Sequence, residues 1–499
     1  MKRARLMLVL LTAFGCGRRG TLYDAALAPL PLVATGAAIV QVVPQTNRAV
    51  IVTPSSRTPT AVVLSAGARA AVRVPNSELV AILTGTARAP RLELLDVETL
   101  TTKVLDTEGV FDRLSFSPDG RYGVLLSNAE RAVGLVARNL NELGLLDVQT
   151  QTVARLQIDT ESLAPRFVHF ATPQAGRRLV AVALERGVAI FDAQRPDVAP
   201  RRVALRPAGS SVDTPVAELL FSRDARWLFV RAIGVDDVIV IELGAEVGAP
   251  VSASINFVAG GSGLSDLELA PPAAGDAVLA TFVSSTELVL LDARGIQDNV
   301  RRLQLGVALT NVELISPTRA VAWAPTSRTM VVWDVLDGRS GVAALTSTPE
   351  QVFVTPAAER AVVVAGGSGV AAVSTLSITD EPNRLRLRVQ TIQLAKRPSA
   401  VQQTSDGASV FLAVAPVNGT QSSMVTLDVS SQGLAEVQLD APVATLFHLA
   451  RSGQVAAEHA AAPYGDVSMM PAGATERLSV IRSVDFALTG DLSRPEDAR

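Results

Sequence analysis

Seven carboxylates recur at matching places along the chain: Asp96, Asp147, Asp192, Glu242, Asp292, Asp334 and Asp428. Each closes an apolar run, as in Leu94-Leu95-Asp96, Leu145-Leu146-Asp147 and Leu290-Leu291-Asp292. A ring of such groups could bind cations, which need several oxygen ligands close together. An acid at the end of a strand can equally accept hydrogen bonds from the turn that follows. Recurrence at equivalent places is the mark of a repeated structural unit. The seven are therefore read as structural repeat acids, and no metal is assigned to them.

Other chemistry-bearing residues are sparse. Asp119-Gly120 and Asp406-Gly407 lack the closely spaced oxygen ligands of a calcium loop and read as turns. Asp236-Asp237 is a tight acidic pair on an expected hairpin between Ala232 and Val238. The three histidines are His169, His448 and His459; none has zinc-motif spacing, and His169 reads as a packed or edge histidine. A triad can assemble from distant residues, yet there is no G-x-S-x-G elbow. Gly260-Gly261-Ser262-Gly263 and Gly366-Gly367-Ser368-Gly369 precede strands rather than helices, so neither reads as a phosphate cradle. Asn418-Gly419-Thr420 reads as a hairpin turn. Trp227, Trp323 and Trp333 are too scattered for a tryptophan docking motif of the quinoprotein kind. No catalytic, cofactor-binding or metal-ligating residue is assigned.

The elements that must carry these residues are strands. Val, Ala and Leu dominate, and aromatic residues make up only 4%. Val-rich runs broken by Gly, Pro, Asp and Ser read as strands and turns. Before most of the acid-ended runs comes a strand closed by a turn, as in Leu114-Ser115-Phe116-Ser117-Pro118-Asp119-Gly120, then a second strand such as residues 122–127. A weaker strand follows the acid, as at residues 102–105 and 201–205. The unit is a four-stranded antiparallel meander. From Asp96 to Asp428 it recurs about every 47 residues, within the propeller-blade range of about 40–50. One meander cannot bury both its faces, whereas many stacked around an axis can. The expected fold is an all-β propeller. The acid-ended run marks eight units, counting a degenerate copy at residues 373–378. Partial units at residues 37–66 and 443–484 could combine into one closing blade. Eight blades are expected, with seven to ten open.

Phe116-Ser117-Pro118-Asp119-Gly120-Arg121-Tyr122 and Val331-Val332-Trp333-Asp334 resemble the WD-like and YVTN-type propeller repeats of secreted bacterial proteins. The resemblance spans residues 37–484 and implies a fold rather than an activity, since propellers host many unrelated functions. The structural Gly-His pair of eukaryotic WD repeats is missing.

The first residues address the chain. Lys2, Arg3 and Arg5 precede the short apolar run 6–11, and Ala13-Phe14-Gly15-Cys16 follows. This is the layout of a secretory signal, too short to span a bilayer. The tetrapeptide resembles a bacterial lipobox, although Ala13 stands where Leu is usual and Phe14 is bulky. The resemblance implies cleavage before Cys16 and lipidation of it; a signal peptide cut elsewhere is the alternative. Cys16 is the only cysteine, so no intrachain disulfide can form. By analogy with enterobacterial lipoproteins, Gly17 favours the outer membrane. The expected division is a signal peptide and lipobox at 1–16, a tether at 17–33, the propeller at 34–484 and a polar tail at 485–499.

A net charge of -3 gives no basic stripe for nucleic acid. The expectation is an exported, lipid-anchored propeller of the bacterial cell envelope. It would be held to the membrane through Cys16 and serve, without catalysis or cofactor, as a binding or scaffold module for a protein, peptide or glycan. The alternative is an envelope hydrolase or lyase, lactonase-like, with its site at the central channel.

Overall fold

The structure is a computed structural model. It describes residues 29–56, 58–127, 141–158, 165–173, 177–206, 214–244, 253–259, 261–293, 300–366, 370–415, 422–439, 441–459, 467–472 and 479–481. Cys16, Gly17, Gly260, the stretch 367–369, Asn418-Gly419-Thr420 and the tail 485–499 lie outside them.

The strands form ten antiparallel sheets, each of four consecutive strands in simple up-and-down order. We number these blades 1 to 10: residues 33–63, 70–106, 113–157, 165–203, 216–259, 264–304, 311–344, 349–393, 398–439 and 443–481. The second and third strands are mostly apolar and buried. Leu179–Leu184 in blade 4 and Ala277–Phe282 in blade 6 are buried at every position. A strand enclosed on both faces reads as a continuous apolar run rather than an alternating one. The fourth strands, such as Thr101–Asp106, are mostly exposed and form the rim.

The core is divided among the interfaces between blades. Each neighbouring pair shares a cluster of buried aliphatic residues, from blades 1 and 2 (Val40, Ile51, Ile82, Leu95) round to blades 9 and 10 (Leu446, Phe411, Met470). A further cluster joins Ile39 and Val50 of blade 1 to Leu449 and Met469 of blade 10. The Arg451 N–H donates to the Gly36 carbonyl across this seam at 2.9 Å. The ring is therefore closed by packing, with ten blades.

The expected eight blades are corrected to ten, the top of the range left open. The two ends do not merge into one closing blade. Each builds a complete sheet of its own, residues 33–63 and 443–481. Neither carries the acid-ended run on which the count of eight rests, because their third strands, Arg48–Val52 and Val467–Pro471, end without an acid, so each reads in sequence as a partial unit.

The turn between first and second strands follows a local code. In blade 3 the Ser117 hydroxyl donates to Asp119 at 2.6 Å and accepts the Tyr122 N–H at 3.0 Å, while Asp119 accepts the Arg121 N–H at 3.1 Å. Blade 5 repeats the pattern with Ser222, Asp224, Arg226 and Trp227. Side-chain acceptors thus satisfy turn amides that no ladder reaches.

Candidate functional site

The seven repeat acids are distributed one to a blade, and most bond to their own turn. Asp96 accepts the N–H groups of Glu98 and Thr99 at 2.8 and 3.1 Å. Asp147 does the same for Gln149 and Thr150, and Asp334 for Leu336 and Asp337. Asp192 accepts from Gln194 and Arg178, both at 3.0 Å. Asp428 accepts the Ser431 N–H at 2.6 Å, and this bond with those of Ser430 holds its carboxyl below the usual range. Glu242 pairs with Arg226 at 2.8 Å, and Asp292 ends its strand opposite Ala277. Among the described residues no group of three or more His, Cys, Asp and Glu side chains could hold a metal ion.

The histidines are separated by the fold. His169 stacks on Phe221 with ring centroids 5.9 Å apart, and burial lowers its pKa. His448 accepts the Ser405 N–H at Nδ1. His459 is buried, with Nε2 2.7 Å from the Ser468 hydroxyl and Nδ1 3.1 Å from the Ala441 carbonyl. Asp236 accepts the Gly263 N–H at 2.7 Å, tying the hairpin of blade 5 to the loop entering blade 6.

A different set of acids lines the inner wall, formed by the first strand of each blade. In blades 4, 5, 6, 8, 9 and 10 that strand shifts register after its first residue. Such bulges re-aim the side chains beside them. The extra residue often reaches the next blade. Arg166 donates to the Val216 carbonyl, Ser265 to that of Thr310, Ser399 to that of Val443, and Glu350 pairs with Arg397. In blades 5 and 6 the residues just after the bulge are Glu218 and Asp266. Glu218 accepts from Arg231 at 2.9 Å, and Asp266 accepts the Val312 N–H of blade 7 at 2.8 Å. Glu268 and Glu313 are the penultimate residues of the first strands of blades 6 and 7.

These groups face one another electrostatically. Burial pushes Asp266 up to about 6, against the pull of the Val312 N–H. Burial, then the neighbouring Asp266, Glu313 and Glu218 carboxylates, pushes Glu268 up to about 7. Burial, then Asp266, does the same for Glu313. Carboxyls poised near neutrality can both donate and accept a proton.

The end of the ring where the first strands begin carries apolar hairpin tips. The first strand of blade 5 begins opposite the end of its second, Val216 against Ala232, so the following turn stands beside the wall. Ile233 there is 52% exposed, and its counterpart Val283 in blade 6 is 57% exposed. The Val283 N–H donates to the carbonyl of Gly263, whose own N–H reaches Asp236.

The sequence reading missed Glu218, Asp266, Glu268 and Glu313. Their signal was an acid inside an otherwise apolar first strand, as in Val-Ala-Glu-Leu-Leu-Phe and Leu-Ser-Asp-Leu-Glu-Leu.

No family model matches the chain, and no curated protein matches it. Solved structures do. A eukaryotic initiation factor is 14% identical, with 83% of this chain and 97% of that one covered and a TM-score of 0.49. Dihydro-heme d1 dehydrogenase NirN in complex with DHE is 15% identical over 82% of this chain and 75% of that one, with a TM-score of 0.41. The β-propeller domain of Cps50 (Swd1) from Myceliophteria thermophila is 13% identical over 70% and 94%, with a TM-score of 0.36. Likeness at this level carries nothing about activity, and the fold is read from the chain's own strand pairing: a β-propeller of ten WD-like blades.

Proposed function

We propose that the chain is an envelope-anchored propeller lipoprotein that serves as a binding or scaffold module for a protein, peptide or glycan partner. The observation that carries the reading is the mixed surface at one end of the ring. Exposed Ile233 and Val283 stand on the hairpins beside the starts of the first strands that carry the half-buried Glu218 and Asp266. Apolar anchors next to hydrogen-bonding groups are what partner recognition uses. The anchor rests on the basic and apolar start of the chain and on Cys16.

Two measurements test this. Labelling cells with a radioactive fatty acid should mark the wild type and leave Cys16→Ser unlabelled; equal labelling removes the anchor. Envelope extracts passed over immobilised wild type and the Ile233→Lys/Val283→Lys double variant should differ in a defined partner. Identical retention removes this face as the binding surface.

A second reading, an envelope hydrolase or lyase, is favoured by one observation. Glu268 and Glu313 sit near pKa 7, where a general acid or base works best. Elemental analysis and native mass spectrometry of a soluble form lacking residues 1–16 separate the two. A stoichiometric ion or small molecule that survives dialysis favours the enzyme, and a clean apo mass favours the binding module.

A further inference from the structure

We propose that the seam where the ring closes holds a binding site for a small zwitterion of amino-acid type, at the end of the ring opposite the Ile233 and Val283 hairpins. The site lies outside the reading above, and its test does not depend on that reading.

A cleft of about 440 Å³ opens between the turns of blades 10, 1 and 2, lined by Gly36, Arg73, Glu78, Asp96, Glu98 and Arg451 among others. That volume suits a small ligand. Gly36 keeps it open: a Cβ there would meet the Glu78 carboxylate at 2.5 Å and Arg451 Cβ at 3.0 Å.

Arg73 is the unusual residue. It closes the first strand of blade 2, and the residues at the same register against the second strand are Ala34, Phe116, Phe170, Phe221, Leu269, Leu314, Val354, Gln403 and His448 in the other blades. Its Nε is buried and finds no hydrogen-bond partner among the described residues, and the residue as a whole is half-buried. A guanidinium offers five donors in a planar fork matched to a carboxylate.

The carboxylates across the cleft are already engaged. Asp96 holds the turn amides of Glu98 and Thr99. Glu78 accepts the Ala37 N–H at 3.1 Å. Glu98 pairs with Arg451, which also lies 4.0 Å from Glu78. Two glutamates thus share one arginine and keep an excess of negative charge, while Arg73 keeps its positive charge. The three acids and two arginines sum to one negative charge, which disfavours a dianion such as phosphate. A ligand with both an ammonium and a carboxylate satisfies both sides: its carboxylate on Arg73, its ammonium beside Glu78 and Glu98.

The test is isothermal titration of the full chain with four probes and inorganic phosphate. L-Alanine and L-alanyl-L-alanine carry both charges at different separations, so the one that binds identifies a free amino acid or a peptide as the source. N-acetyl-alanine lacks the ammonium and alaninamide the carboxylate; each should bind at least tenfold more weakly. Arg73→Gln should lose at least tenfold in affinity for the zwitterion with an unchanged thermal midpoint, since the Arg73 Nε bonds nothing among the described residues, and Arg73→Lys should restore part of it. Glu98→Gln should weaken the zwitterion without affecting N-acetyl-alanine, which keeps the idea testable if Arg73→Gln fails to fold. Absence of binding by both zwitterions at millimolar concentration, phosphate binding in their place, or Arg73→Gln binding like wild type would each overturn the proposal.

Discussion

Arg319 in blade 7 and Asp380 in blade 8 are joined by a two-oxygen bond, with Arg319 Nη2 2.7 and 2.8 Å from the two carboxylate oxygens. Asp380 can reach because the third and fourth strands of blade 8, Ala372–Glu381 and Arg384–Gln393, are ten residues each and run past their own blade. The overhang covers the rim of blade 7, where a Cβ on Gly341 would meet the Leu385 carbonyl at 2.3 Å. The Arg319 side chain is only 8% exposed and also bonds Asp334 and Glu359, so it locks two blades together.

Replacing Arg319 by Leu should destabilise the ring by about 3 kcal/mol, because it strands the buried Asp334 carboxylate without its main cation. Asp380→Asn should cost less, since that carboxylate is half exposed. Urea unfolding of both variants measures this, and equal midpoints for all three proteins would refute the lock.

Stability should fall as pH rises from 5 to 8. Folding lifts Asp266 to about 6 and Glu268 and Glu313 to about 7, above their ordinary values. Across that interval the native state holds protons that the unfolded chain has released, so this contribution is complete below about pH 4 and lost through pH 6–7. Its size is on the order of 3 kcal/mol for each carboxyl before solvent screening reduces it. Glu268→Gln should flatten the dependence and raise stability at pH 8; thermal unfolding at pH 5 and 8 reads both effects.

Glu93 is 1% exposed and accepts the Ser65 N–H and the Thr84 hydroxyl, both at 2.8 Å, stitching the loop from blade 1 onto blade 2. Glu93→Ala should cost about 3 kcal/mol by orphaning two buried donors. Glu93→Gln keeps the acceptor and should cost about 1 kcal/mol. Chemical denaturation that ranked the two variants alike would show the bonds to be incidental.

Gly120 sits at φ 72°, and a Cβ there would meet the Pro75 carbonyl of the neighbouring blade at 2.0 Å. Gly120→Ala should cost at least about 2 kcal/mol, from the left-handed backbone and the collision together. Gly234, at φ 75° with open space around it, should tolerate Ala at only the backbone cost of about 1 kcal/mol. Comparable thermal midpoints would remove the claimed close approach.

The sequence by itself determined the repeat. Apolar runs closed by Asp96, Asp147 or Asp334 and turns such as Ser117-Pro118-Asp119-Gly120 are local features, fixed by strand propensity and by side chains that bond the next few amides. Those features identify the blade and the propeller. They do not count the ring, because closure depends on how Ile39 and Val50 pack against Leu449 and Met469, more than 380 residues away. Nor do they assemble the inner wall. Glu218, Asp266, Glu268 and Glu313 come from three blades, and only the bulges and burial of the tertiary structure bring them together and raise the pKa values of Asp266, Glu268 and Glu313. Arg73 makes the same point from the other side of the ring. In sequence it is one arginine at a strand end, and only the turns of blades 10, 1 and 2, brought together at the closure, make a cleft beside it.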